Sequence, residues 1–316
     1  MKWTRRHVLD VDDWSRDEIE IVLDQAVAMT EILSRPIRRA PALRGRTVIL
    51  FFAEASTRTR VSFELAAKAL SADVTHISAS GSSVEKGESL YDTVRTLQAL
   101  GGDVVVMRHS ASGAPYFVAQ RTDAAVINAG DGWHAHPSQG LLDAMTLRQA
   151  IGDLDGKRIV IVGDVLHSRV ARSDINTLVP LGARVTLSGP PTLMPTAWRC
   201  GHLPLGVSFE PDLDRALDAA DGVIVLRLQR ERQEAGLLPS LREYNRVWGL
   251  DVERAGRMRD GAPVMHPGPM NEGIEIDAAV AHGSRSLIEK QVANGVAVRM
   301  ALLYLLAATA PLEERA

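Results

Sequence analysis

The stretch TVILFFAEASTRTRVSFELAA, residues 47–67, decides how the chain is read. It opens on an unbroken apolar run, Val48 to Phe52, of the kind that a strand buried on both faces needs. A few residues later the apolar period changes. Phe63, Ala66, Ala67 and Leu70 recur at helical spacing, so the strand hands over to a helix through Ala53–Ser56. Strand, short loop and helix make one half of a βαβ unit. The loop is unusual, because Ser56, Thr57, Arg58, Thr59 and Arg60 crowd three hydroxyls and two guanidinium groups into the strand's carboxyl end. In open parallel sheets that end is where ligands bind.

The same alternation extends in both directions. Ser15-Arg16-Asp17-Glu18 has the form of a capping box, and Ile19, Val22, Ala26 and Met29 follow at helical spacing. Further strands are expected at 74–77, 104–107 and 125–127, with helical patterns between them. The segment QAIGDLDGKR (149–158) reads as a surface connection. A second series then begins, with strands expected at 158–163, 184–187, 222–228 and 263–265. The fold class is therefore α/β, with two parallel-sheet α/β domains, 1–150 and 151–285. In 286–316, Leu287, Ile288, Val292, Val296, Met300 and Leu303 predict a long terminal helix packing back on the first domain.

Composition narrows the function classes. The 316 residues are enough for two cores, and 46% hydrophobic with 24% charged residues describes an ordinary soluble protein. A net charge of −3 without long runs of one sign argues against a nucleic-acid surface, while leaving room for a local basic pocket. The single cysteine, Cys200, excludes an intrachain disulfide and a multi-cysteine metal site. The amino-terminal residues are too charged for a signal peptide, and Met300–Ala308 is far shorter than the roughly 20 residues that span a bilayer. A cytoplasmic location is the default, with no membrane partner.

Candidate chemistry sits at the predicted strand ends. Ser56 is placed to cap a helix starting at Thr57, and the free N–H groups of such a helix start favour an anion. Arg58 adds a fork suited to phosphate oxygens, and Thr57 and Thr59 add donors. Taken alone, the motif fits a solvated capped helix equally well. Arg108 and His109 follow the next strand but one. Asn128, Asp131, His134, His136 and Gln139 then fall within twelve residues. His136 and Gln139 suit a planar carbonyl or amide, while His134 suits loop hydrogen bonding. No Cys or nearby Glu completes a metal set around the two histidines, so no metal is expected.

In the second half only Gly163 of a dinucleotide fingerprint is present. His167, Ser168, Arg169 and Arg172 occupy the turn instead. If the strand through 222–228 continued, Arg227 and Gln229 would share a face and serve a carboxylate together. VMHPGPMNEG ends another strand in a Pro-Gly-Pro turn whose carbonyls cannot all join a ladder. An anion site in the first domain and guanidinium groups in the second suit reaction of a phosphorylated small molecule with an anionic one, in a substrate cleft joining the domains. With these partners at the other strand ends, the 54–64 loop reads as an anion socket.

Ser56-Thr57-Arg58-Thr59-Arg60, Met107-Arg108-His109, His136-Pro137-Ser138-Gln139 and His266-Pro267-Gly268-Pro269 resemble the motifs of the carbamoyltransferase family. SSVEKGESLYDT and RLQRER bring the chain nearest to the family's aspartate-specific branch, and the resemblance runs the whole length in order. It implies two α/β domains joined by interdomain helices, one for carbamoyl phosphate and one for L-aspartate. It also implies a homotrimer with active sites shared between chains, and no cofactor.

Carried over by position, Ser56, Thr57, Arg58, Thr59 and Arg108 would hold the phosphate. Thr59, Arg108 and His136 would polarise the carbamoyl oxygen. Gln139 and the carbonyls of Pro267 and Gly268, in the turn closed by Pro269, would hold the carbamoyl nitrogen. Arg169, Arg227 and Gln229 would hold the aspartate carboxylates, with Lys86 and either Ser82 or Ser83 reaching in from a neighbouring chain. A regulatory chain or a dihydroorotase-type partner is compatible with the resemblance. The ornithine branch is the competing reading. It carries a cysteine in the turn where this chain has Gly268, and its cationic acceptor would face Arg227. A catalytically silent homologue would not need Arg58, Arg108, His136, Gln139, Arg169 and Arg227 together.

Overall fold

The computed structural model describes residues 3–78, 89–229 and 236–307. The strands are β1 (Thr47–Phe52), β2 (Asp73–Ser78), β3 (Val104–His109) and β4 (Ala125–Asp131), then β5 (Arg158–Val162), β6 (Arg184–Ser188), β7 (Val207–Phe209), β8 (Gly222–Val225) and β9 (Val264–Met265). They pair in parallel throughout, as two sheets ordered β2-β1-β3-β4 and β7-β6-β5-β8-β9. The residues up to Ser138, with those from Ala293 onward, form one compact unit, and Gln139–Val292 form the other. Both dividing points fall inside helices, Pro137–Ile151 and Ile288–Ala307.

In the first unit β1 is buried along Val48–Phe52. Ile49 and Phe51 join Val94, Leu97, Val105, Met107, Val118 and Val126 in one cluster. The amino-terminal segment closes an edge of the sheet: Val8 N–H donates to Val126 O at 2.8 Å, and Asn128 N–H to Val8 O at 2.8 Å. Covering an edge in this way removes a free ladder of donors and acceptors. The capping box at Ser15 and Glu18 is present at the start of the helix Arg16–Ser34. The end of the last helix docks here too. Buried Arg299 donates to Ser62 Oγ at 2.8 Å and lies over the Phe63 ring.

In the second unit Val160, Val162, Val223, Val225 and Val264 pack with Leu213, Leu217, Leu250, Ile276 and Val280.

Three expectations need correction. β8 stops at Val225, although the apolar pattern runs on through Leu226 and Leu228, so Arg227 and Gln229 lie in a loop and strand alternation does not orient them. β7 was not anticipated: three partly exposed edge residues are too few to show a period. In the terminal helix, Val292 is exposed and Val296 half-buried, whereas Gln291, Asn294 and Arg299 are buried. That helix is covered on nearly every side beyond residue 296, so a single apolar stripe misplaces its face.

Candidate active site

A parallel sheet has a natural crevice where successive connections leave in opposite directions. In the first sheet β1 lies between β2 and β3, so the crevice opens at the carboxyl ends of β1 and β3. In the second, β5 lies between β6 and β8, and the crevice opens at the ends of β5 and β8. Ser56–Arg60 and Arg108 lie at the first switch point and Arg169, Arg227 and Gln229 at the second, while His136 and Gln139 follow the edge strand β4 and Pro267–Pro269 follow the edge strand β9.

Beyond β1 the chain runs through Ser56 into the helix Thr57–Ala69. Ser56 is extended, with φ −162°, and is the N-cap, yet its side chain accepts no capping hydrogen bond and the first turn carries no acidic residue. The positive end of this helix is therefore left without the usual side-chain countercharge. Thr59 is buried, Ser56 is half-buried, and Thr57, Arg58 and Arg60 are exposed. β3 is next to β1, with Phe52 level with Arg108. Arg108 is clamped: Nη2 meets Glu54 Oε1 at 2.6 Å, and Nη1 donates to Ala129 O at 3.4 Å. Glu54 thus holds one side of the guanidinium fixed. His109 instead tethers its own loop, its Nδ1 accepting from Ala111 N–H at 2.9 Å, and burial pushes its pKa down.

β4 ends in a network built on Asp131, which is wholly buried. Its carboxylate accepts from Gly113 N–H, Ala135 N–H and Asn128 Nδ2, and meets His134 Nδ1 at 3.1 Å. Burial alone would raise its pKa, but these hydrogen bonds hold it below the ordinary value. His134 is held by carboxylates on both ring nitrogens, with Asp10 Oδ2 3.3 Å from Nε2. The hydrogen bond to Asp131 raises its pKa, while burial pushes Asp10 up to about 6. His134 is thereby a loop fastener, and the loop delivers buried His136 to the start of the helix Pro137–Ile151.

In the second unit Asp164, just past β5, ties the two loops of the switch point together. Its Oδ1 accepts from His167 Nδ1 at 2.7 Å, and its Oδ2 accepts from Gln229 N–H at 3.4 Å. Ser168 caps the next helix by accepting from Ala171 N–H, placing buried Arg169 at the helix start. Arg227 and Gln229 are half-buried in the loop after β8.

Beyond β9, His266 is buried and organises the Pro267-Gly268-Pro269 turn. Its Nδ1 accepts from Gly268 N–H at 2.8 Å, which puts its proton on Nε2, 3.3 Å from Glu275 Oε1. Gly268 has φ +64°, a conformation glycine adopts without steric cost. Gln139 is buried and donates to Asp143. Among the described residues no cluster of three or more His, Cys, Asp or Glu has metal-binding geometry, and no helix is long and apolar enough to cross a membrane. Lys86, Ser82, Ser83, Arg230 and Arg232 lie outside the described residues.

The supporting acids Glu54, Asp131, Asp143, Asp164 and Glu275 were not singled out from the sequence as supports. Each has some partner close in sequence: Glu54 borders the arginine-rich loop, Asp143 lies four helical residues beyond Gln139, Asp131 and Asp164 each meet a histidine three residues on, and Glu275 accepts from Asn271 N–H four residues back. Their longer-range partners, such as Arg108 for Glu54 and Gln291 for Asp143, come only through the fold.

A helix start without countercharge beside a clamped arginine, and a second switch point carrying two arginines, define a protein that handles small anions. Residues 6–149 match the aspartate/ornithine carbamoyltransferase carbamoyl-P binding domain, and residues 155–306 match the Asp/Orn binding domain of the same family. The chain belongs to the aspartate/ornithine carbamoyltransferase family.

It is 60% identical over 304 residues to the aspartate carbamoyltransferase catalytic subunit of Chloroflexus aggregans, covering 96% of this chain and 98% of the relative. To that of Roseiflexus castenholzii it is 59% identical over 301 residues, covering 95% and 94%. Among solved structures it resembles aspartate transcarbamoylase from Trypanosoma cruzi in complex with carbamoyl phosphate and aspartate, with TM-score 0.86, 28% identity and 96% and 97% coverage. It matches ornithine carbamoyltransferase from Pyrococcus furiosus with TM-score 0.87, 25% identity and 98% and 100% coverage. The fold therefore spans both acceptor classes, and the acceptor must be argued from side chains and from the closer sequence relatives.

Proposed function

We propose that the protein transfers the carbamoyl group of carbamoyl phosphate to the amine of L-aspartate, giving N-carbamoyl-L-aspartate and phosphate. This is an early step of pyrimidine synthesis, carried out in the cytoplasm. The observation that carries the reading is the placement of Ser56–Thr59 and Arg108 at one switch point and Arg169, Arg227 and Gln229 at the other. Relatives near 60% identity that bear the aspartate carbamoyltransferase name support it.

In this reading the helix start at Thr57, with Ser56, Thr57, Arg58, Thr59 and Arg108, takes the phosphate. Thr59, Arg108 and His136 donate to the carbamoyl oxygen. Gln139 and the Pro267 and Gly268 carbonyls, in the turn that Pro269 closes, accept from its NH2. Arg169, Arg227 and Gln229 hold the aspartate carboxylates. The deprotonated aspartate amine attacks the carbamoyl carbon, forming the C–N bond and placing negative charge on the oxygen. Fixed donors aimed at that oxygen stabilise it more than they stabilise the ground state. The intermediate collapses with cleavage of the C–O bond to phosphate, which leaves with the proton the amine gives up. Holding the reactants in line supplies the remaining rate, and no cofactor or metal enters the balance.

An acceptor panel tests the assignment. Carbamoyl phosphate with aspartate should give a colorimetric ureido product and ornithine essentially none; turnover of ornithine but not aspartate would overturn it. The proposed assembly is a homotrimer in which Lys86 completes a neighbour's site. Mixed trimers of Lys86→Ala and Arg58→Ala chains should regain activity, whereas inactive mixed trimers of verified composition would place each site within one chain.

A further inference from the structure

Helices Pro137–Ile151 and Arg169–Leu178 cross at Gly140. A Cβ there would stand 2.6 Å from Ser173 O and 2.7 Å from Thr177 Oγ1, so the backbones meet only because the residue is glycine. The crossing brings together Asp143, one turn beyond Gly140, and Asp174, next to Ser173. Both are wholly buried. The Asp174 oxygens receive no hydrogen bond from any described N–H or hydroxyl donor, and the neighbouring group within hydrogen-bonding reach is the Asp143 carboxyl.

The surrounding amides say where the proton must be. Backbone N–H of His266 donates to Gln291 Oε1 at 2.9 Å, which fixes that amide's orientation and turns its Nε2 toward Asp143 Oδ1, 2.6 Å away. Gln139 Nε2 donates to both Asp143 oxygens, at 3.1 and 3.2 Å. Asp143 is thus surrounded by donors and serves as an ionised acceptor. A second carboxylate beside it, buried and without donors, cannot also stay ionised.

We propose that Asp143 and Asp174 share one proton, Asp174 donating as the carboxylic acid to ionised Asp143, and that this pair positions the Gln139 amide and, through Gln291, the His266–Pro269 turn. Resting on the reaction assigned above, the pair sets which end of Gln139 faces the substrate: with Nε2 held by Asp143, Oε1 is left to accept from the carbamoyl NH2. One acid therefore aligns both groups assigned to the carbamoyl nitrogen. Asp143 and Asp174 are positioning residues and touch no reacting atom.

Burial first, and then the charge of Asp143, push the Asp174 carboxyl well above the ordinary range. The flanking amides, Gln139 and Gln291, are not ionisable, and Asp143 is the titratable group that acts on it among the described residues. A carboxyl whose folded pKa is raised contributes stability that is complete below its unfolded pKa and is lost as pH rises through the folded value. On ionisation the two carboxylates repel and the hold on Gln139 loosens.

The test separates the pair from the reaction. In wild-type protein at neutral pH, difference infrared spectroscopy against Asp174→Asn should show the C=O stretch of a protonated carboxyl, a readout that needs no substrate. In kinetics, Asp143→Asn and Asp174→Ala should raise the KM for carbamoyl phosphate about tenfold or more. Asp174→Asn, whose amide donates as the acid did, should recover most of that loss and remove the alkaline rise in this KM. No protonated-carboxyl band, or a wild-type KM in both Asp143→Asn and Asp174→Ala, overturns the pair. Failure of the wild-type protein to carbamoylate aspartate overturns the reaction instead.

Discussion

Gly140→Ala sets two calculable effects against each other. In a helix interior, alanine is better than glycine by about 1 kcal/mol, so an uncrowded site would be stabilised. Here the added Cβ would lie 2.6 Å from Ser173 O and 2.8 Å from Ser173 C. An ordinary C···O contact is about 3.3 Å or longer, so the facing helix must retreat by several tenths of an ångström. Thr177 Oγ1 can turn away, but the Ser173 atoms are backbone, so no rotamer change relieves them. Overpacking of this kind costs about 1–3 kcal/mol, which leaves a net destabilisation of up to about 2 kcal/mol. The same retreat draws Asp174 away from Asp143 and loosens Gln139, so the KM for carbamoyl phosphate should rise several-fold. Urea unfolding midpoints with unchanged m-values, alongside initial-rate kinetics, measure both. A variant stabilised by the full helix-propensity gain, with an unaltered KM, would refute the claim that this crossing is tight and that it supports the site.

Arg58→Ala removes the exposed guanidinium fork of the proposed phosphate site. Losing a charged hydrogen-bonding partner worth about 1.5–3 kcal/mol should weaken carbamoyl phosphate about ten- to hundredfold, measurable by calorimetry. Arg227→Ala should raise the KM for aspartate by a similar factor and spare carbamoyl phosphate binding; unchanged aspartate kinetics would remove this residue from the acceptor site. Away from the site, Arg5 hydrogen-bonds Glu18 and holds its pKa at about 2. A depressed carboxyl contributes stability above its unfolded pKa and loses it as pH falls through the folded value. Glu18→Gln should therefore flatten the acid limb of thermal stability between the ordinary carboxylate range and about pH 2. An acid limb as steep as the wild type's would exclude that pair as a source.

Much of the architecture was legible because its signals are local. The apolar run before Ser56 and the helical spacing after it lie in one stretch, and Thr47–Phe52 is the strand observed. Side chains at the switch points were legible for the same reason, since each follows its strand within a few residues. Where apolar patterning outlasts the hydrogen-bonded strand, as at Leu226 and Leu228, sequence misjudged the end. A helix buried on several sides, such as Ile288–Ala307, shows no single stripe to read. The supporting acids were the least legible. Asp143 meets Gln291 from 148 positions away, and Glu54 and Arg108 are 54 apart. Strand order brings the second pair together and the packing of two helices the first, and no local pattern encodes either.

The central claim is transfer of the carbamoyl carbon to the aspartate nitrogen. The most direct measurement supplies purified protein with carbamoyl phosphate labelled at the carbamoyl carbon, together with L-aspartate, and follows the label by NMR. The account predicts that the label moves into N-carbamoyl-L-aspartate, with stoichiometric phosphate release that requires aspartate. Phosphate release without that product, or transfer to ornithine in place of aspartate, would contradict it.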